Sequence, residues 1–272
     1  MPIIETPPEN PLVLILSCRL SPPERVMSAL AQTARLFPGA QVEIIDGLTA
    51  HDPRAVALLD GARSKRKTKR PPTPSEVATY GTHRLAWQRL LDTNRSHAII
   101  FEDDFQIIDH PAFLALMVAL PQILAMPMHM LKLFDYPRSN NGGLALCRIV
   151  EGLTLCQWAR PRAGLVGYIL TAEGARRFLS RDKIFRVVDE DTKYFWELGL
   201  DIWSLHPSPV ADGSAAMGGS MLDHDRNISR SNRSLRRSLW GNALTIHRRA
   251  FGSVAFAWAC ILSRKTRLVN VR

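Results

Sequence analysis

Three consecutive carboxylates, Glu102, Asp103 and Asp104, follow the stretch His97-Ala98-Ile99-Ile100-Phe101. The five residues before them read as a buried strand. Adjacent carboxylates repel one another, so the cluster calls for a metal ion, a basic partner or solvent. In an extended chain alternate side chains share a face, which sets Glu102 and Asp104 together and Asp103 apart. Two hard oxygen donors on one side of a strand's carboxyl end suit Mg²⁺ or Mn²⁺. That end of an open α/β sheet is also where ligands bind. A divalent ion there would hold a nucleotide diphosphate and offset the charge that develops as it leaves. The alternative is a solvated turn whose acids balance nearby arginines, and these three residues alone do not separate the two.

The elements that must position them are legible as periodic segments. Leu12-Val13-Leu14-Ile15-Leu16 is a continuous apolar run after Pro11, a buried strand. Pro22-Pro23-Glu24-Arg25 opens a helix through Leu36, and Val42-Glu43-Ile44-Ile45 is a second strand closing at Asp46-Gly47. Strand, helix, strand at the start predicts an α/β fold with a mostly parallel central sheet flanked by helices. Residues 61–74, GARSKRKTKRPPTP, read as an exposed, mobile basic loop. Thr73-Pro74-Ser75-Glu76 then begins a helix carrying Tyr80, His83 and Trp87. Further on come a helix over Pro111–Ala125, a strand over His129–Phe134, and a strand over Gly164–Leu170 leading into a helix that ends near Leu179. Val187-Val188-Asp189 again runs an apolar pair into acids, with Glu190 and Asp191 behind.

Composition narrows the classes. The chain has 272 residues, 46% hydrophobic, enough for a sizeable core, and a net charge of +10 that favours an anionic partner. Four cysteines without a CxxC pair argue against a zinc site and a disulfide framework and fit a reducing compartment. Residues 1–8 lack the basic and apolar regions of a secretory signal. The apolar tract Pro111–Leu131 is broken by Pro121, Gln122, Pro127 and His129, a core helix and strand rather than a membrane span. The expected location is the cytoplasm.

Read together, the neighbours of the acid cluster form a pattern. Thr73-Pro74-Ser75-Glu76-Val77, Thr82-His83, a Trp87-bearing helix and Ile99-Ile100-Phe101-Glu102-Asp103-Asp104 resemble glycosyltransferase family 25, which includes lipopolysaccharide and procollagen galactosyltransferases. Gly167-Tyr168-Ile169-Leu170 with Glu173-Gly174-Ala175 is similar to a later block, Val187-Val188-Asp189 to the family's Pro-Val-Asp, and Arg25 and Asp46-Gly47 to its opening residues. The resemblance spans about residues 12–210. Ser17-Cys18 stands where the family often has an asparagine, Thr82 replaces a serine, and the usual proline before Val-Asp is missing.

The resemblance implies a GT-A-like nucleotide-sugar-binding fold and hexose transfer from a UDP-sugar to a lipopolysaccharide or related surface-glycan acceptor. It implies Mn²⁺ or Mg²⁺ held by Glu102 and Asp104, with Asp103 orienting the ribose or a basic neighbour. Transfer with inversion needs a base to take the acceptor proton; Asp189 is the first candidate and Asp191 the second, although Asp189 could equally cap a helix starting at Glu190. His83, Arg25 and Asp46 are candidate donor contacts, with a satisfied core histidine and an exposed helix-face charge as the alternatives for the first two. His224, in Met221-Leu222-Asp223-His224-Asp225, is a candidate for a further metal contact, with a plain loop as the alternative.

Residues 1–225 thus read as the transferase domain and 226–272 as a basic amphipathic tail. The tail holds eleven Lys or Arg and no acid, suited either to an anionic membrane surface, which would place the protein on the inner face of the cytoplasmic membrane, or to a helix packed on the catalytic domain with solvated arginines. Two other classes compete: a non-catalytic family member, which usually loses the acids kept here, and a nucleic-acid-binding protein. Charge runs without a base-reading module count against the latter.

Overall fold

Leu12–Ser17 forms strand β1, buried along its whole length. In the computed structural model, which describes residues 10–137, 143–219, 235–262 and 266–271, β1 lies parallel between β2 (Gln41–Asp46) and β3 (His97–Glu102). Val13, Ile15, Ile99 and Phe101 enter one apolar cluster, and Leu12, Leu14, Leu16, Ala98 and Ile100 enter another. This alternation is what a strand covered on both faces requires. Helix α1 (Pro23–Leu36) and helix α5 (His110–Leu124) supply Ala29, Leu36, Phe113 and Leu116 to the first cluster. Helix α4 (Pro74–Asp92) and helix α6 (Ala172–Leu179) supply Tyr80, Trp87, Leu90 and Phe178 to the second. The fold is α/β, a central sheet with helices on both faces.

The remaining sheet strands are β5 (Met130–Lys132), β6 (Gly143–Val150), β7 (Leu153–Trp158), β8 (Gly167–Thr171), β9 (Ile202–His206) and β11 (Arg267–Val271). Their order is β11-β6-β7-β9-β5-β8-β3-β1-β2. Pairing is parallel across β2-β1-β3 and β5-β9 and antiparallel elsewhere, so the sheet is mixed. A small second sheet joins β4 (Phe105–Ile107) to β10 (Val210–Asp212) directly after the acid cluster.

Two segments differ from expectation. Residues 61–74 are not one loop: after the short helix α2 (Pro53–Leu58), Gly61–Lys67 forms helix α3, started by the Asp60 side chain accepting from Arg63 N at 2.8 Å. Lys65, Arg66 and Lys67 fall in its last turn, where cations oppose the helix dipole. Arg63 also lies over the Phe185 ring at 4.1 Å. Polar composition hid a helix held by its ends rather than by an apolar stripe.

Of the two readings of the C-terminal segment, the described residues take the packed one. Its helix α8 (Leu235–Leu262) is anchored by Trp240 Nε1 donating to Arg66 O at 2.9 Å and Arg248 pairing with Glu190 at 3.0 Å. Phe256 is buried, and β11 pairs antiparallel with β6 as the sheet's edge strand. Leu239, Ile246, Val254, Trp258 and Ile261 remain exposed on α8. No helix among the described residues is long and apolar enough to cross a membrane.

Candidate functional site

β3 ends at Glu102, and Asp103 and Asp104 form the turn into β4. Ser17, the last residue of β1, donates its hydroxyl to Asp103 Oδ2 at 2.6 Å. Arg25, on the first turn of α1 and only 3% exposed, donates to Asp104 Oδ2 at 3.1 Å and stands 3.9 Å from Asp103 Oδ1. The same guanidinium holds the carbonyls of Met217 and Gly219 at 3.1 and 2.5 Å. Arg25 is therefore a buried partner of the carboxylates rather than an exposed helix charge. Asp103 and Asp104 are 6% and 9% exposed, which removes the solvated-turn alternative.

Arg25 does not balance the cluster. Asp104 Oδ1 is buried with no hydrogen-bond partner. Burial, with Glu102, Asp212 and Asp103 nearby, pushes the Asp104 carboxyl up to about 7 against the opposing pull of Arg25. A buried acceptor left open beside a second carboxylate is a donor set that fits a divalent cation. Among the described residues no group of three or more His, Cys, Asp or Glu forms a ready-made metal shell. An ion on Glu102 and Asp104 would therefore complete its shell with oxygens of its ligand.

Glu102 is approached from α4. The Thr73–Glu76 capping box that the sequence predicts starts this helix, and its third turn carries His83, fully buried. His83 Nδ1 lies 2.8 Å from the Tyr168 hydroxyl, which also accepts from Trp87 Nε1 at 2.8 Å. Tryptophan can only donate, so satisfying all three groups sends the Tyr168 hydrogen to Nδ1 and leaves the ring proton on Nε2. That nitrogen stands 3.4 Å from Glu102 Oε1, short of a closed hydrogen bond. Asp46-Gly47 takes part indirectly. A Cβ at residue 47 would come within 2.8 Å of the Thr82 side chain and 2.5 Å of Ser17 O, so only glycine lets α4 approach the end of β1. Asp46 itself is exposed and lines neither cavity described below.

Two cavities flank the turn. One, of about 120 Å³, is lined by Ser17, Arg25, Thr82, His83 and all three acids. The other, of about 340 Å³, brings Glu102 and Asp104 together with Tyr136, Asp189 and Asp212. Asp189 lies in the first turn of helix α7 (Val188–Lys193), and Val187, not Asp189, occupies the cap position. Its Oδ1 instead accepts from Gly164 N at 3.0 Å. The loop bearing Gly164 is pinned by Lys132, almost fully buried, which donates to Asp135, Arg162 O and Ala163 O.

Asp191 is not brought to this cavity. Its buried carboxylate accepts from Tyr80 Oη at 2.7 Å and binds Arg181 and Arg186 at 2.7 and 3.0 Å, a structural knot behind α7. This corrects its reading as a base, because its oxygens are already spent on Tyr80 and two guanidiniums and it lines neither cavity at the acid cluster. His224 lies outside the described residues. Trp203 is buried in the core, and Trp196 packs near Gly252 of α8 rather than in either cavity. Sequence reasoning missed Asp212, whose only signal is an Asp-Gly pair after an apolar residue, and Lys132, a cation inside a predicted strand.

No family model and no curated protein matches the chain. Among solved structures it is similar to A197 from STIV, with a TM-score of 0.40 and 12% identity over 74% of this chain and 83% of that one. It is also similar to the mannose-1-phosphate geranyltransferase from Thermus thermophilus, with a TM-score of 0.38 and 12% identity over 74% and 75%. Likenesses this distant define neither a family nor an activity.

Proposed function

We propose that the protein is a metal-dependent glycosyltransferase of the family 25 type, with a GT-A-like donor site. In this reading it moves galactose or glucose from a UDP-sugar to a lipopolysaccharide or related surface-glycan acceptor. The observation that carries the reading is Asp104, a buried carboxylate with one oxygen on Arg25 and the other unpartnered, beside Glu102 at a cavity that also holds Asp189. Such a cluster is unfavourable by itself and becomes favourable once a cation joins it.

Mn²⁺ or Mg²⁺ bound by Glu102 and Asp104 would neutralise the donor's diphosphate and the charge that grows on it as the sugar leaves. Ser17 and Arg25 fix Asp103 and Asp104 so that the acids need no reorganisation. His83 Nε2 stands 3.4 Å from Glu102 and would close on it as the cation binds. Asp189 takes the acceptor hydroxyl's proton, with the Gly164 amide holding one of its oxygens. Tyr136, half exposed in the same cavity, offers an aromatic face to a sugar ring.

Titrating the purified protein calorimetrically with UDP-galactose and UDP-glucose, with Mn²⁺ and then with EDTA, tests this reading. Heat that disappears with EDTA is expected. Donor binding indifferent to the metal, or none by a folded sample, would contradict it.

In the same reading the exposed apolar face of α8, with Arg249 beside it, rests on an anionic membrane surface on the cytoplasmic side. The protein is expected to co-sediment with phosphatidylglycerol vesicles and not with phosphatidylcholine ones. Trp258→Ser combined with Ile246→Ser should reduce that binding severalfold; unchanged sedimentation would remove α8 as the contact.

A further inference from the structure

A third cavity, of about 440 Å³, lies between the end of α3, α7 and α8. Its wall carries Lys67, Lys69, Arg70, Arg186 and Arg248 against one carboxylate, Glu190. Arg186 is 3% exposed, lies over the Tyr194 ring at 3.6 Å and has an Nε without a hydrogen-bond partner. Its terminal nitrogens are already spent on Asp191 and Glu197. With five cations against one carboxylate the wall carries excess positive charge, and an oxyanion is the group that meets it.

The cavity is built rather than incidental. Gly241 of α8 sits where a Cβ would come within 2.5 Å of the Lys69 side chain, so a glycine lets the helix close over that lysine. Trp240 and Arg248 fasten the same stretch of helix to Arg66 and Glu190. The cavity also adjoins the carboxylate site. Val187 lines both, Asp189 follows two residues later, and Arg70 on this side is bonded to Glu76, which lines the other cavity.

We infer that this cavity binds a phosphate group carried by the sugar acceptor, holding the acceptor so that a hydroxyl reaches Asp189. That the phosphate belongs to an acceptor rests on the transferase reading; the anion site itself rests on the basic wall. A phosphate on the acceptor gains from several cations at once, and its sugar ring would lie past Val187, which lines both cavities. An uncharged sugar gains neither.

The test uses the full chain in EDTA, so that no metal recruits phosphate to Glu102 and Asp104. Glucose 6-phosphate, glucose and inorganic phosphate are titrated into the native protein, Lys67→Gln/Lys69→Gln and Asp104→Asn. The two lysines are exposed, so their exchange spares the core. Glucose 6-phosphate is expected to bind at least tenfold more tightly than glucose or phosphate, to lose about tenfold in the double-lysine variant, and to be unaffected by Asp104→Asn. Equal binding by native and lysine variants would overturn the assignment. So would phosphate binding as tightly as glucose 6-phosphate, which would mark a bare anion site. Metal-dependent UDP-sugar binding, measured on the same samples, separates the two readings. Its absence while glucose 6-phosphate still binds condemns the transferase reading and spares the anion site; the reverse pattern condemns only this inference.

Discussion

Asp104→Asn is expected to abolish sugar transfer and, at pH 8, to raise the thermal midpoint of the metal-free protein. Folding lifts the Asp104 carboxyl from the usual carboxylate range to about 7. Between roughly pH 4 and pH 7 the folded protein therefore holds a proton that the unfolded chain has released, and stability falls as pH rises through that window. Above it the full penalty applies, roughly 4 kcal/mol at about 1.4 kcal/mol per pH unit. Asparagine removes the charge yet keeps an oxygen for Arg25, which retains Met217 O and Gly219 O in any case. Native protein should gain several degrees on adding Mn²⁺ at pH 8, and the variant should gain nothing. Transfer should drop on the order of 10³-fold or more, since the lost contact acts on charge developing in the transition state. A variant that melts lower than native without metal, or that still responds to Mn²⁺, would show that Asp104 serves the fold and not an ion.

Asp189→Asn should leave UDP-sugar affinity unchanged while kcat for transfer falls about 10²- to 10⁴-fold. The amide oxygen preserves the bond from Gly164 N, so the loop over Phe134 keeps its course. Gly164 has φ +105°, and a Cβ there would lie 2.6 Å from the Phe134 ring, so that loop has little freedom to compensate. Single-turnover transfer and calorimetry on the same sample separate the outcomes. A matching loss of donor affinity would move Asp189 from base to donor contact, and unaltered kcat would remove it from the chemistry.

How much of this could be read beforehand differs between fold and site. The strands β1 and β3 were legible because each is apolar on both faces, and α4 because its capping box spells its start. The β6–β7 hairpin was not. Its two-residue loop is Glu151-Gly152, both at positive φ, where the readable signal is Asn or Asp before glycine. At the site, the acids, Arg25 and His83 announced themselves by residue type and order. What joins them could not, because Ser17 meets Asp103, Gly47 meets Thr82, and Tyr168 meets His83 only through sheet order. Asp191 misled for the complementary reason: an acid two residues from Asp189 on one helix turn lies on another side, and its arginines come from outside the motif.

The edge strand β11 also sets a schedule. Arg267 pairs opposite Cys147, whereas Val150 pairs with Leu153 in the same sheet. The hairpin closes a minimal loop and can form early, while the β11 pairing must first bring together segments separated by β7 through α8, at an entropic cost repaid only on docking. During that interval β6 offers an unpaired row of backbone groups, the kind of edge on which chains join one another instead of themselves. Aggregation during synthesis is thus expected to start at the end of the sheet opposite the carboxylates, five strands beyond β8 in the order that places β3 and β1 at the site.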